Sequence, residues 1–358
     1  MTRRCAWQFR PSHRITGARR HKKGILTLST MNILFITSTR IGDSVLSSGL
    51  LDHLIAEHPG ARVTIACGVP AAPLFRSTPG VEKIIALEKR PFAGHWVALW
   101  LRTVSTAWDL VVDLRASVLT WTLRTKQRRV FRSAGGDTHR VRQLADLLVL
   151  DSPAAPRIHL GDEERARARE LVPDGGPVLG VGPTANWVGK QWPGERFAEV
   201  ISRLTGPGGV LDGARVAVFG AESERQMAEQ VLTAVPPDRL INLIGKIDIL
   251  TAGACLERCA LFVGNDSGLM HLAGAVGSPV VGVFGPSREA LYAPWGTTGV
   301  AVRGPCSYDE MAAAPGFDLA GRDNYMGDLD PGPVVEAAEV LLHKSGRRQS
   351  AAATEGGP

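Results

Sequence analysis

The sequence predicts an α/β protein made of two doubly wound, Rossmann-like halves facing a central cleft. Three observations predict it. Short apolar segments alternate with amphipathic helical segments and short loops, the pattern of βαβ units in parallel sheets. The alternation stops at Asp151-Ser152-Pro153-Ala154-Ala155-Pro156 and then restarts. The 358 residues suit about two domains.

The first half reads as strand 32–38, helix 45–58, strand 62–66, a short helix 71–76 and strand 83–86. A helix near 96–105, strand 110–113, a helix near 117–125, strand 129–132 and helix 139–148 follow. After the Pro-rich break come helix 163–171, strand 178–182, helix 196–204, strand 215–219 and helix 222–233. Strand 241–243, helix 250–259, strand 261–263, a helix opened by Asn265-Asp266-Ser267-Gly268, and strand 280–284 complete the pattern. A last helix, 334–342, starts after Pro331-Gly332-Pro333. The expected division is an extension 1–30, halves 31–155 and 156–330, a C-terminal helix 331–344 and a disordered Gly-rich tail 345–358.

Composition narrows the function. Hydrophobic residues at 44% and charged residues at 21% describe a globular chain rather than a disordered one. The richest apolar run, Trp96-Val97-Ala98-Leu99-Trp100-Leu101, is too short to span a bilayer. The net charge of +6 misleads, because residues 1–30 hold eight basic residues and no acidic one. The remainder has 33 basic against 35 acidic residues, so no nucleic-acid partner is expected. The extension is Arg-rich and acid-free, like a transit peptide or an anionic-lipid tether, but Met31 directly precedes the first strand. It reads as a disordered upstream extension. The odd set Cys5, Cys67, Cys255, Cys259 and Cys306 argues against a disulfide framework and completes no zinc set; buried free thiols are expected.

Ligands of doubly wound sheets bind at the carboxyl ends of strands, so the turns there carry the chemistry. After the first strand, Thr37-Ser38-Thr39-Arg40-Ile41-Gly42-Asp43-Ser44 holds one glycine, which excludes a dinucleotide fingerprint. It presents one carboxylate, Asp43, whose plain reading, like that of Ser44, is a helix cap. In the second half, 182–193 (GPTANWVGKQWP) places Lys190 between a strand and a helix. Phe219-Gly220-Ala221-Glu222-Ser223-Glu224 sets acids in a first helical turn, which the dipole favours. In 261–285, LFVGNDSGLMHLAGAVGSPVVGVFG, a strand feeds a glycine-bearing turn into a helix, and the unpaired N–H groups there suit a phosphate. Asp266 and Ser267 read as caps, and His271 lies one turn in on the same face. The acceptor half gathers Arg115, Arg124, Lys126, Arg128, Arg129 and Arg132, which a solvated face explains for the most part. Trp96 and Trp100 are read as core, with contact to a membrane surface as the second reading.

Three ordered segments, G-D at 42–43, K-x-W-P at 190–193 and D-S-G-L-M-H-L-A at 266–273, resemble the family 9 glycosyltransferases, the lipopolysaccharide heptosyltransferases. The resemblance covers about residues 31–343. It implies the two-domain GT-B architecture, with acceptor bound by the first half and nucleotide-sugar by the second. It implies that Asp43 is the base of an inverting transfer. Lys190, Asp266, Ser267, Gly268 and His271 hold the donor diphosphate, and Glu224, ahead of Glu222, lies near the nucleoside. Arg40 and Arg115 are acceptor-side candidates. The implied donor is an ADP-heptose or relative, and the acceptor a lipopolysaccharide-core or lipid A–Kdo sugar. A monomeric cytoplasmic enzyme follows, with peripheral contact at the inner membrane. Neither cofactor nor metal is expected, since the D-x-D at Asp328-Leu329-Asp330 reads as a helix start. Ala185 and Asn186 stand where some members carry two threonines. The alternatives are a nucleotide-sugar epimerase of the same fold, and a binding module without catalysis.

Overall fold

The apolar strands assemble into two parallel sheets in a computed structural model that describes residues 31–133, 135–318 and 324–354. The extension 1–30 lies outside the described residues. The first half runs β1 (Asn32–Ile36), α1 (Ile41–Glu57), β2 (Arg62–Gly68), β3 (Val81–Leu87), α2 (Gly94–Thr103), β4 (Trp108–Asp113), β5 (Thr125–Val130) and α3 (Arg140–Leu147). The second runs α4 (Asp162–Leu171), β6 (Val178–Gly182), α5 (Gly194–Thr205), β7 (Arg215–Val218), α6 (Arg225–Ala234), β8 (Leu240–Asn242), α7 (Ile249–Glu257), β9 (Leu261–Asn265), α8 (Gly268–Ala275) and β10 (Val280–Phe284). Then follow α9 (Glu289–Tyr292), β11 (Gly299–Arg303), α10 (Tyr308–Ala313) and α11 (Pro331–Thr354).

The strand orders are β3-β2-β1-β4-β5 and β11-β10-β9-β6-β7-β8. Each reverses direction once, between β1 and β4 and between β6 and β9, and at such switch points loops splay apart to leave a crevice. The segments singled out from the sequence sit there. Asp43 follows β1 and Arg115 follows β4, while Lys190 follows β6 and Asp266 follows β9.

One buried apolar cluster joins the two halves, running from Ile33 and Phe35 through Leu50 and Leu54 to Leu272, Phe262 and Phe284. Small residues on α1 permit that closeness. A Cβ on Gly49 would stand 2.3 Å from the Ala155 carbonyl oxygen, so the connector between halves lies against bare backbone. The Ser48 hydroxyl accepts from the Arg157 N–H at 2.9 Å and pins the same connector. A second, smaller core on the far face of the first sheet holds Leu99 of α2 with Leu119 and Leu123, and Trp96 packs against it. Trp100 departs from the expected core placement and is 37% exposed.

Several boundaries differ from expectation. The helix expected near 117–125 is a 3-10 turn, Val118–Thr122, and β5 starts earlier, at Thr125. Strand β11 and helices α9 and α10 fall in a stretch where no element was expected. The last helix continues through Thr354, into the segment expected to be disordered from Ser345. The run Ala351-Ala352-Ala353 has high helix propensity and no proline interrupts it. Cys67, Cys255 and Cys259 are buried free thiols, whereas Cys306 is exposed. Among the described residues no helix is long and apolar enough to cross a membrane.

Candidate active site

The site is built where the first turns of α1 and α8 meet. A Cβ on Gly268 would stand 2.8 Å from Ile41 Cγ2, and one on Gly42 would stand 2.9 Å from His271 Cδ2. Both contacts are tighter than side chains tolerate, so the two glycines allow two helix N-termini, each a partial positive charge, to approach the same space.

Asp43 does not cap α1. The cap position is Arg40, which makes no side-chain cap bond, and Asp43 is the third helical residue. Its Oδ2 accepts from the Ser38 hydroxyl at 3.3 Å, while the same hydroxyl accepts from the Arg40 N–H at 3.1 Å. The carboxylate is thus held on the helix by the turn that precedes it. The expectation for Ser44 fails likewise, since its buried hydroxyl donates back to the Ser38 carbonyl at 3.1 Å. Arg40 itself is exposed at the rim.

Capping also fails as an account of Asp266 and Ser267. Ser267 is the cap residue of α8 by position but makes no cap bond, and its Oγ is buried without a partner. Asp266, 7% exposed, is engaged by Lys190, whose Nζ donates to Oδ2 at 2.5 Å. His271 Nε2 lies 3.8 Å from Asp266 Oδ1, and Nδ1 is buried without a partner. Unpaired buried polar atoms in a folded protein call for an explanation, and here two flank one helix N-terminus. An anion lying there would find the Ser267 hydroxyl, the first backbone N–H groups of α8 and the Lys190 ammonium, which keeps two further N–H bonds to give.

Lys190 is set in place by Asn265, a residue the sequence reading passed over as part of the turn. Asn265 ends β9 fully buried. Its Oδ1 accepts from the Trp192 N–H at 3.1 Å, and its amide donates to the Pro183 carbonyl at 2.9 Å. Both ends of the Lys190 loop are thereby tied to the Asp266 turn. The available signal was a polar side chain at the end of an otherwise apolar strand. Glu224 also meets this loop, because its Oε2 accepts from the Thr184 hydroxyl and from the Ala221 N–H, each at 2.9 Å. Glu222 instead pairs with Arg225 at 2.6 Å, which leaves Glu224 as the acid facing the β6 loop. Ser287, also unremarked from sequence, follows β10 with its Oγ buried and unpartnered. Arg303 holds that turn through the carbonyls of Gly285 and Ser287.

Arg115 stands apart, at the end of β4. Its backbone N–H is fixed by Asp113 at 2.8 Å, its guanidinium lies 4.7 Å over the Trp96 ring, and Nη1 is buried without a partner. Asp330 of the D-x-D lies 3.4 Å from Arg196.

Burial lowers the His271 pKa, and the negative charges of Asp266 and Asp43 oppose it. Gly42, the neighbour of Asp43, packs against the His271 ring, so the two residues belong to the same helix contact. With its pKa lowered, the folded ring stays neutral at pH values where the unfolded ring, near 6.5, takes a proton. Stability should fall as pH drops below about 6.5, because the unfolded chain then binds the extra proton. Urea unfolding at neutral and mildly acidic pH checks this. The His271→Gln variant should lose less stability on acidification than the parent, and an equal loss in both would refute the assignment.

Residues 120–312 match the model of "Glycosyltransferase family 9 (heptosyltransferase)", over half of the chain. The chain is 24% identical to lipopolysaccharide heptosyltransferase 2 of Salmonella typhimurium, over 88% of its own length and 100% of that protein's. Among solved structures, a family 9 glycosyltransferase from Veillonella parvula superposes with a TM-score of 0.75 at 21% identity, covering 89% of this chain and 99% of that one. The E. coli ADP-heptose lps heptosyltransferase II superposes with a TM-score of 0.68 at 22% identity, covering 88% and 99%. The architecture is GT-B, and the chain belongs to glycosyltransferase family 9, the heptosyltransferase family.

Proposed function

We propose that this glycosyltransferase moves a heptose, or a closely related sugar, from an ADP-sugar to a sugar of the lipopolysaccharide core. The observation that carries the reading is the meeting of α1 and α8, which brings the first turn of α1, the turn that carries Asp43, against a helix N-terminus lined by unpartnered polar atoms. The donor's diphosphate lies at Ser267 and Gly268, with Lys190 and His271 at its sides and Glu224 toward the nucleoside. Asp43 takes the proton of the acceptor hydroxyl as its oxygen attacks the anomeric carbon from the opposite face. The bond from that carbon to the diphosphate oxygen breaks, and ADP leaves with the electron pair. Lys190 and the α8 N-terminus stabilise the charge that develops on ADP. Charge stabilisation by these groups makes the reaction independent of a divalent cation. Arg115, with an unpartnered Nη1, and Arg40 at the rim meet anionic groups of the acceptor. The relatives' names, lipopolysaccharide and lipooligosaccharide heptosyltransferase, support both donor and acceptor class.

The test is ADP release from ADP-heptose with a deacylated core acceptor, with and without EDTA. Acceptor-dependent release that EDTA leaves intact is expected. Release without acceptor would point to donor hydrolysis, conversion of the donor to another ADP-sugar without acceptor would point to an epimerase, and donor binding without any turnover would point to a binding module.

A further inference from the structure

The layer formed by α2 and the 3-10 turn Val118–Thr122 has a surface unlike the rest of the molecule. Ten large hydrophobic side chains are exposed among the described residues, and six of them are here: Phe92, Val97, Trp100, Leu101, Val118 and Trp121. The other four are single valines scattered elsewhere, so every exposed Phe and Trp belongs to this layer. The segments that carry them, Pro91–Ala93 with α2 and the turn with Leu123 after it, flank one small core, into which Leu99, Leu119 and Leu123 are buried while these six are exposed. Phe92 is fully exposed and sits, with Ala93, in left-handed backbone at φ 50° and 57°. Neither residue favours that conformation, and the strain here presents a phenyl ring to solvent without burying it.

Charge coincides with this surface. Residues 88–132 hold nine Lys or Arg against three Asp or Glu, whereas residues 31–358 together are slightly acidic. Of the three acids, Asp113 is buried and Asp109 is paired with Lys126 at 2.6 Å. Lys89, Arg90, Arg102 and Arg124 are exposed within the same stretch of chain, and the Arg128 guanidinium lies 4.8 Å over the Trp121 ring. Exposed tryptophans in a segment rich in cations suit the headgroup zone of a bilayer, where ring and charge meet apolar and polar surroundings at once. The exposed aliphatic tips of Val97, Leu101 and Val118 suit acyl chains and have no role on a nucleic acid.

We infer that this face docks on an anionic lipid surface, with Phe92, Leu101, Trp100 and Trp121 entering the interface and the surrounding Lys and Arg meeting lipid phosphates. The inference rests on the proposed acceptor being lipid-borne. It adds where the lipid meets the protein: Arg115 stacks on Trp96 of this same layer, so the docked face adjoins the acceptor-side rim of the cleft.

The test is flotation of the full chain with vesicles of phosphatidylcholine containing about one-quarter phosphatidylglycerol, against phosphatidylcholine alone, at about 0.15 M salt. The parent should float with the anionic vesicles. The triple variant Phe92→Ser, Leu101→Ser, Trp121→Ser should lose at least about tenfold in partitioning. It should keep the parent's turnover of the deacylated acceptor, since all three side chains are exposed and none lies at the cleft. Equal partitioning of variant and parent would overturn the inference by assigning binding to residues 1–30, which both carry. No vesicle binding, or binding to an oligonucleotide duplex in preference to vesicles, would also overturn it. Tryptophan quenching by brominated lipid in the unsubstituted protein gives a readout independent of the variant's folding. Quenching is expected, and its absence refutes the insertion. Vesicle binding without turnover of the soluble acceptor would leave the docking face standing and remove the acceptor reading.

Discussion

Asp43→Asn is expected to lower acceptor-dependent transfer by about two to four orders of magnitude, the range for a lost general base. The amide keeps the size of the carboxylate and can still accept from the Ser38 hydroxyl, so the first turn of α1 should keep its shape. What it loses is the capacity to take a proton. Donor affinity should stay within about twofold, because in the proposed mechanism Asp43 acts on the acceptor hydroxyl and not on the nucleotide. Stopped transfer with intact nucleotide binding, measured by calorimetric titration of ADP and by ADP release, is the expected pair of results. Transfer within a few-fold of the parent would remove Asp43 from the mechanism.

Lys190→Ala should act on binding, chemistry and stability together. Truncation takes away the ammonium that meets Asp266 at 2.5 Å and leaves that carboxylate, 7% exposed, without its cation. A fully buried pair broken in this way costs roughly 3–5 kcal/mol. Lys190 is 24% exposed, so the loss should fall below that range. Turnover should fall on the order of a hundredfold or more, as when an oxyanion-type donor is removed. Donor affinity should also weaken, because the unpaired Asp266 then repels the diphosphate. The companion Lys190→Ala, Asp266→Asn variant should recover stability without recovering turnover. Recovery of both would make the pair a structural strut, and recovery of neither would assign the defect to the loop.

Much of the fold was legible in the sequence because its cues are local. The apolar runs of β1, β6, β9 and β10 are bounded by turn residues, and each switch-point turn follows such a run. The individual roles were less legible because they are set by contacts distant in sequence. Asp43, Ser44, Asp266 and Ser267 all read as helix caps, and nothing local says otherwise. Asp43 and Ser44 are diverted within their own turn by Ser38, five and six residues back, whose part only the folded turn reveals, and Asp266 by Lys190, 76 residues away, where α1 closely approaches α8. Asn265 shows only as a polar side chain ending an apolar strand, and its role stays hidden because its partners, Pro183 and Trp192, are 82 and 73 residues away. Trp100 read as core because an aromatic on an apolar helix normally is; its exposure depends on Leu99 and Trp96 filling the small core beneath α2. Strand β11 is short and flanked by glycine, and only pairing with β10 identifies it.

The apolar cluster that passes from the first sheet through α1 and α8 into the second also governs how the molecule comes apart. Two lobes joined only by a tether would melt in two steps, each with its own enthalpy. Here the interior of one lobe is partly the interior of the other, since Leu50 and Leu54 belong to the same buried cluster as Leu272 and Phe262. Neither lobe can lose its core without exposing its neighbour's. A single endotherm is therefore expected in differential scanning calorimetry, with van't Hoff and calorimetric enthalpies equal. Two resolved endotherms would show that the lobes fold as independent units.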